Sequence, residues 1–524
     1  MMSARAKRLT ITLMGAGAVL ALVVLWFGPF VFTRPLLWLL ANPHWLLAAL
    51  ALLVASVALG KAPGQPPAQA AESADEESGE AVKVAPKLTD GERKAQKVAQ
   101  RIAGWAGAFA VVVLLFGVFL LPYFQATTYA RSYERSDSVP SYQDRAPFVV
   151  ADQLSNRDLD DIIGDRVGVH AVQSAEQPNQ YTTLVIRRGL FEGYEAVQVI
   201  RPPVVGAAGE NSQACRFAPE HKLRLDGAVP WNNLERALSF KRPFVFWDDS
   251  DAYGICHHET AAVVVPLKRW GGTWPVMVAK PAGVAVYMNG EVTVHDADEV
   301  PAELAGPTYP RSIAAKQREA SLATGSFADW IFNRAGYDTA GDTATDDEEA
   351  TDENEPNRAN AIDFALVDTD GEGQFVTALT PVGASESVVA AGHVSFRQTS
   401  RELNPYVVSK YTPALPALST SENRIRSDFN HLPGWASGMR VMEITPSKDG
   451  AYVASVGQNQ VVTYRMLIAP DGSVSLLDVG DETPAPEGES QAVEGKDLAS
   501  MSNEEIVAEI QRLTEELAER AKNE

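Results

Sequence analysis

Cysteine is almost missing from this chain. Two in 524 residues exclude a disulfide-dense scaffold and a four-cysteine zinc site. Positive charge is also short, with 45 Lys and Arg against 67 Asp and Glu, a net −22. Phosphate recognition along a nucleic acid needs basic surface, so nucleic acid is excluded as a partner. Gly and Pro, 38 and 32, are ordinary in number, which rules out collagen and a wholly disordered chain. Catalytic signatures are lacking too: there is no G-x-S-x-G elbow, H-E-x-x-H, Walker A loop or G-x-G-x-x-G fingerprint, and no cofactor is expected.

The most informative shortage is of charge along the first quarter of the chain. Between residues 9 and 60 the one charged side chain is Arg34, and residues 103–126 have none. A bilayer core about 30 Å thick takes roughly 20 helical residues. The sequence therefore predicts a three-helix transmembrane anchor, with spans over 9–32, 36–60 and 103–124 and a turn at Thr33-Arg34-Pro35. The first run is too long for a secretory leader and no A-x-A-like site follows it. Arg5, Lys7 and Arg8 precede it, and the loop 61–102 carries Lys61, Lys83, Lys87, Arg93, Lys94, Lys97 and Arg101. That bias places the N-terminus and loop on the cytoplasmic side and residues 127–524 outside. The lipid bilayer is the first expected partner. No acid lies within a span, so nothing points to an ion path.

Residues 127–524 hold 34 basic and 60 acidic side chains, a net −26. The expected class is α+β, a mainly antiparallel β-rich ectodomain with a few helices and a short C-terminal helix. Asn289-Gly290, between the β-rich runs 283–288 and 291–295, is a strong signal for a two-residue hairpin turn. Residues 310–334 read as helix split by Gly325, and 419–429 as another. The first part of the ectodomain spans 127–337 and the second 358–480. Between them 338–357 is an acidic loop, expected to be mobile. A linker over 481–498 leads to the helix 499–524, where Ile506, Ile510, Leu513 and Leu517 follow coiled-coil seam spacing. That seam packs on its own domain or joins a homo-oligomer or membrane-protein partner.

The densest polar cluster is WDDSDAYGICHHE, 247–259. Asp249, Asp251, His257, His258 and Glu259 are metal-capable side chains, although adjacent strand residues face opposite ways and the bland alternative is a polar turn. Cys215 and Cys256 both fall on the outer side, where a disulfide would persist. Asp368 to Gly373 has the opening of a calcium loop but Leu379 where the bidentate Glu belongs, and a hairpin turn explains it better.

The segments YERSDSVPSYQDRAPF (133–148), RRGLFEGYEAVQ (187–198) and PAGVAVYMNGEVTV (281–294) resemble uncharacterised multi-pass membrane proteins of actinobacteria and their phages. The resemblance implies a membrane location and carries over neither an activity nor functional residues. The expected function is an integral membrane protein that displays an extracytoplasmic α+β domain for binding or assembly at the cell envelope. A membrane-tethered hydrolase with a dispersed site, or an accessory subunit of a transport or secretion complex, are the alternatives.

Overall fold

The computed structural model describes residues 19, 22, 23, 26, 28–60, 90–157, 162–206, 212–301, 304–340 and 364–477. The C-terminal seam residues Ile506, Ile510, Leu513 and Leu517, the linker 481–498 and most of the acidic loop lie outside them. Two residues assigned to that loop, Asp338 and Thr339, are strand.

The three-helix anchor expected from the sequence is not what the described residues form. One helix, Arg93–Ala130, is long and apolar enough to cross a bilayer, at 38 residues. The stretch read as a single span over 36–60 is instead the end of α1 (Phe30–Ala41) and all of α2 (Pro43–Gly60), bent by 87° at Asn42. The proline ring at 43 crowds the preceding residue out of helical dihedrals. Asn42 accordingly sits at φ −123°, ψ 60° and closes α1 with its side-chain amide on the Trp38 carbonyl. Thr33-Arg34-Pro35, expected as a turn between spans, lies inside α1. The expected span over 9–32 falls mostly outside the described residues.

The long helix comprises α3 (Asp90–Leu115), a π turn at Phe116–Leu120, and α4 (Leu121–Ala130). Pro122 supplies a reason for the π turn: it has no N–H and its ring presses on the preceding turn, so the ladder slips by one residue. Gly117 lets α2 in close, since a Cβ there would lie 2.1 Å from Cγ of His44.

Beyond α4 the chain builds β1 (Tyr133–Ser136), then α5 (Phe148–Arg157), then two four-stranded meanders. The first is β2 (Asp165–Ala171), β3 (Tyr181–Ile186), β4 (Tyr194–Ile200) and β5 (Ser212–Arg216); α6 (Leu234–Lys241) follows. The second is β6 (Tyr253–His257), β7 (Thr260–Thr273), β8 (Val276–Met288) and β9 (Glu291–His295). The turn at Asn289-Gly290 is present, with φ of 52° and 78°. The β7–β8 pair runs well beyond the runs legible in the sequence.

Residues 310–334 are broken as expected around Gly325, into α7 (Arg311–Glu319), a 3-10 turn and α8 (Phe327–Ile331). Next come β10 (Tyr337–Thr339), β11 (Phe364–Val367), β12 (Gly373–Pro381), β13 (Val388–Ser395) and β14 (Tyr406–Leu415). They form one sheet with β1, which pairs parallel to β14 along an edge. After α9 (Leu418–Asp428), a last meander joins β15 (Arg440–Pro446), β16 (Tyr452–Gln458), β17 (Val461–Ile468) and β18 (Val474–Leu476). The class is α+β.

The two meanders share a core through Leu184, Val197, Val263, Val265 and Tyr287, and α6 covers it with Leu234 and Leu238. Cys215 on β5 and Cys256 on β6 are disulfide-bonded across this core, with Cα atoms 5.8 Å apart. Closing a loop of 41 residues is worth about 4 kcal/mol in the chain-entropy picture. A second core, with Tyr309, Ile313, Phe375 and Tyr406, receives the long helix through Tyr129.

The segment 137–147 follows β1, and its Arg145 is buried. The guanidinium donates to Glu443 Oε1 of β15 at 2.7 Å, to the Tyr181 hydroxyl of β3 and to the Ala146 carbonyl. Burial pushes the Glu443 carboxyl above its usual pKa, against the opposing pull of Arg145. Removing one member of such a pair strands the other in low dielectric. Glu443→Leu is expected to lower the unfolding free energy by about 3–5 kcal/mol, and the double variant Arg145→Met/Glu443→Leu by clearly less, read from urea titrations of both.

Candidate functional site

The polar cluster at 247–259 was the sequence's best candidate for chemistry, and the fold takes it apart. Asp249–Asp251 is a 3-10 turn at one end of β6, and His258 and Glu259 form the hairpin turn at the other, with φ of 45° and 64°. Five strand residues at roughly 3.3 Å each hold the two ends on the order of 15 Å apart. His257 and His258 do come together, ring centroids 4.4 Å apart, because His258 belongs to the turn and escapes strand alternation. Asp249 is exposed and Asp251 is buried. Among the described residues no three His, Cys, Asp or Glu side chains are placed to share a metal ion.

What Asp251 joins instead is a network the sequence did not reveal. Its carboxylate accepts from the Ser312 backbone N–H at 3.1 Å and from the Ser312 hydroxyl. Lys268 of β7, 4% exposed, donates to Ser312 Oγ at 2.9 Å and is ion-paired with Asp248. Burial works to raise the Asp248 carboxyl, but the hydrogen bond and charge of Lys268 overcome it and hold the group below its ordinary pKa. For Asp251 burial prevails and the pKa is raised, despite the bonds from Ser312.

The network continues to the N-terminal helices. Trp247, next to Asp248, presents its ring to the Arg34 guanidinium, 4.1 Å from the centroid. Arg34 also pairs with Glu235 of α6 at 3.0 Å. Burial raises the Glu235 carboxyl, with Arg34 acting to lower it. Gly28 packs on the same helix, where a Cβ would meet Ser239 Oγ at 2.8 Å. Two members were legible in the sequence: Asp251 in the dense polar cluster, and Arg34 as the one charge between residues 9 and 60, read there as part of a turn between spans. Lys268 and Ser312 carry no local signal at all.

A serine between a lysine and a carboxylate invites comparison with nucleophilic catalysis. There the base must be free to take the hydroxyl proton. Here Lys268 is ion-paired with Asp248 and donates to Ser312, while Ser312 donates to Asp251. Every proton is already placed. Asp251 also satisfies an N–H in the first turn of α7, where negative charge is favoured. The arrangement ties β6, β7, α7 and, through Trp247 and Arg34, α1 into one unit. Ser312→Ala is expected to lower stability by about 1 kcal/mol and Lys268→Met by about 1–3 kcal/mol, measured by chemical denaturation.

The scattered histidines show no catalytic pairing of this kind. His393 of β13 is buried, with Nε2 3.2 Å from Ser409 Oγ, and burial lowers its pKa to about 4. His170 of β2 is lowered to about 4 by burial and then by the charge of Arg311. In the unfolded chain both groups return to about 6.5. Between those values the unfolded state binds more protons, so stability rises with pH from about 4 to 6.5 and is level above it as far as these groups go. Denaturation across that window should show the rise, and His393→Gln should flatten part of it.

Comparison of the chain with protein-family models, with curated proteins and with solved structures found no match.

Proposed function

We propose that the chain is a membrane-attached protein whose acidic α+β body is held at a fixed attitude over the bilayer, outside the cytoplasm, to bind or assemble with another component of the cell envelope. The junction between apolar helix and body carries this reading. The helix Arg93–Ala130 passes from its charge-free stretch directly into the core, with no linker between. Tyr129 is buried there, its hydroxyl accepting from Ala279 N–H at 2.9 Å, and Gln125 donates to the Met277 carbonyl at 2.9 Å. Arg34 supplies a second attachment through Glu235 and Trp247. A rigid mount favours presenting a surface over reaching for a diffusing substrate.

Aromatic residues gather where the apolar helices meet the body. Tyr123 packs on Phe327 and Trp330 at centroid distances of 5.2 and 5.6 Å, and Phe332 beside them is exposed. At the other attachment Trp26 and Phe191 flank Trp231, at 6.5 and 6.2 Å. Such residues suit the boundary between lipid and water. Arg93, Lys94, Lys97 and Arg101 lie at the end of the long helix away from the body, which favours a cytoplasmic place for that end.

Carbonate washing of membranes should leave the full chain in the pellet, and protease added to intact cells should cleave within the body. A photo-crosslinker in place of the exposed Trp274 should give a discrete adduct of higher mass in cells. Release by carbonate, or protection of the body from outside protease, overturns the reading.

A further inference from the structure

A cleft of about 620 Å³ opens at the foot of the body. One wall is the last turn of the long apolar helix and the residue after it, Thr127 to Arg131; another is the edge strand β1; the rest comes from Thr324, Tyr337 and β14. Three cations face it from three places: Arg131, Arg135 and Lys410. The one acid in the lining is Glu134. Glu134 offsets one of the three, so the lining keeps a net positive charge.

All three cations are exposed, and among the described residues none has an ion pair or a hydrogen-bonded acceptor. In a region where acids outnumber bases 60 to 34, many cations find a carboxylate. Arg187, Arg224, Arg242, Lys280 and Arg465 all do. Three that do not, around one cavity, leave a local positive field inside a negative protein. That field selects an anion.

The height of the cleft names the anion's source. The charge-free run continues to Ala130, where the helix ends, and Arg131 is the first charged residue beyond it. The polar layer on one side of a bilayer is roughly 5–8 Å deep. Given the membrane attachment proposed above, the cleft opens at the level of the lipid headgroups. Its volume falls within the few hundred to about a thousand Å³ typical of small-ligand sites. Arginine matches a phosphate through two parallel N–H bonds, and lysine adds a point charge.

We propose that Arg131, Arg135 and Lys410 form a binding cleft for the phosphate-bearing headgroup of an anionic phospholipid from the leaflet beneath the body. The edge position of β1 leaves the cleft open from the side, so that the headgroup enters while its acyl chains stay in the bilayer along α4.

The full chain in detergent can be titrated with dihexanoyl phosphatidylglycerol, with dihexanoyl phosphatidylcholine and with inorganic phosphate, binding being read by native mass spectrometry. Phosphatidylglycerol is expected to bind at least tenfold more tightly than phosphatidylcholine. Arg131→Gln/Arg135→Gln/Lys410→Gln should erase that preference, and Arg131→Lys/Arg135→Lys/Lys410→Arg should keep most of it. Both variants should melt like the parent, since the three side chains make no contacts that the fold needs. Equal binding of the two lipids, or an unchanged preference in the glutamine variant, overturns the proposal. Inorganic phosphate binding as tightly as phosphatidylglycerol overturns the lipid assignment and leaves a site for free phosphate. These titrations use no bilayer, so carbonate release of the parent chain would count against the membrane attachment and be distinguishable from a failure of the cleft.

Discussion

A guanidinium that cannot be deprotonated has to be answered wherever the chain buries it. Arg145 lies on an extended stretch between the sheets, and its partners come from three places: Glu443 on β15, Tyr181 on β3 and the Ala146 carbonyl. Around it Tyr142 fills a small core with Phe364, Leu366 and Val376, and Asp144 pairs with Arg465 on β17 at 3.0 Å. Sheets from both halves of the sequence are thereby fixed to one short segment. Hydrophobic burial supplies most of the driving force for folding, but it is indifferent to orientation. The charge pair is not, and it sets how the β2–β5 meander and the β15–β18 meander face each other.

The second constraint is the way the apolar helices enter the body. A tether would leave them free to swivel. Here the helix that carries the charge-free stretch ends as a core element, with Tyr129 among Tyr309, Ile313 and Tyr406. The bend at Asn42 turns α1 away from α2 and brings Arg34 to Glu235 and Trp247. The network of Asp248, Asp251, Lys268 and Ser312 lies directly beside this attachment. Its chemistry is that of a clamp, with each donor matched to an acceptor, and this is why a serine–lysine–carboxylate grouping does not read as a nucleophile.

Much of the candidate site was hidden because its members are far apart in sequence. Asp251 was legible as a polar residue in a dense cluster, and Arg34 as a solitary charge. Nothing near Lys268, in the apolar run of β7, or near Ser312, behind a proline, announced that they would meet. Conversely, His257, His258 and Glu259 looked like ligands because they are adjacent, and a tight turn accounts for them. The cationic cleft shows the same limit: Arg131 and Arg135 are near neighbours in sequence, and Lys410 joins them only because β14 pairs in parallel with β1.

By itself the sequence determined what neighbouring residues can decide. The uncharged stretch 103–126 makes a helix with no polar face, Asn289-Gly290 makes a hairpin because both positions accept positive φ, and Gly325 interrupts the helical stretch it lies in. Tertiary structure decided the rest. The apolar stretch around residue 40 became two helices at 87° because a proline breaks the ladder and a half-buried arginine has a partner some two hundred residues away. Burying a charge is favourable only beside its counter-charge, and where that counter-charge lies is a property of the folded chain.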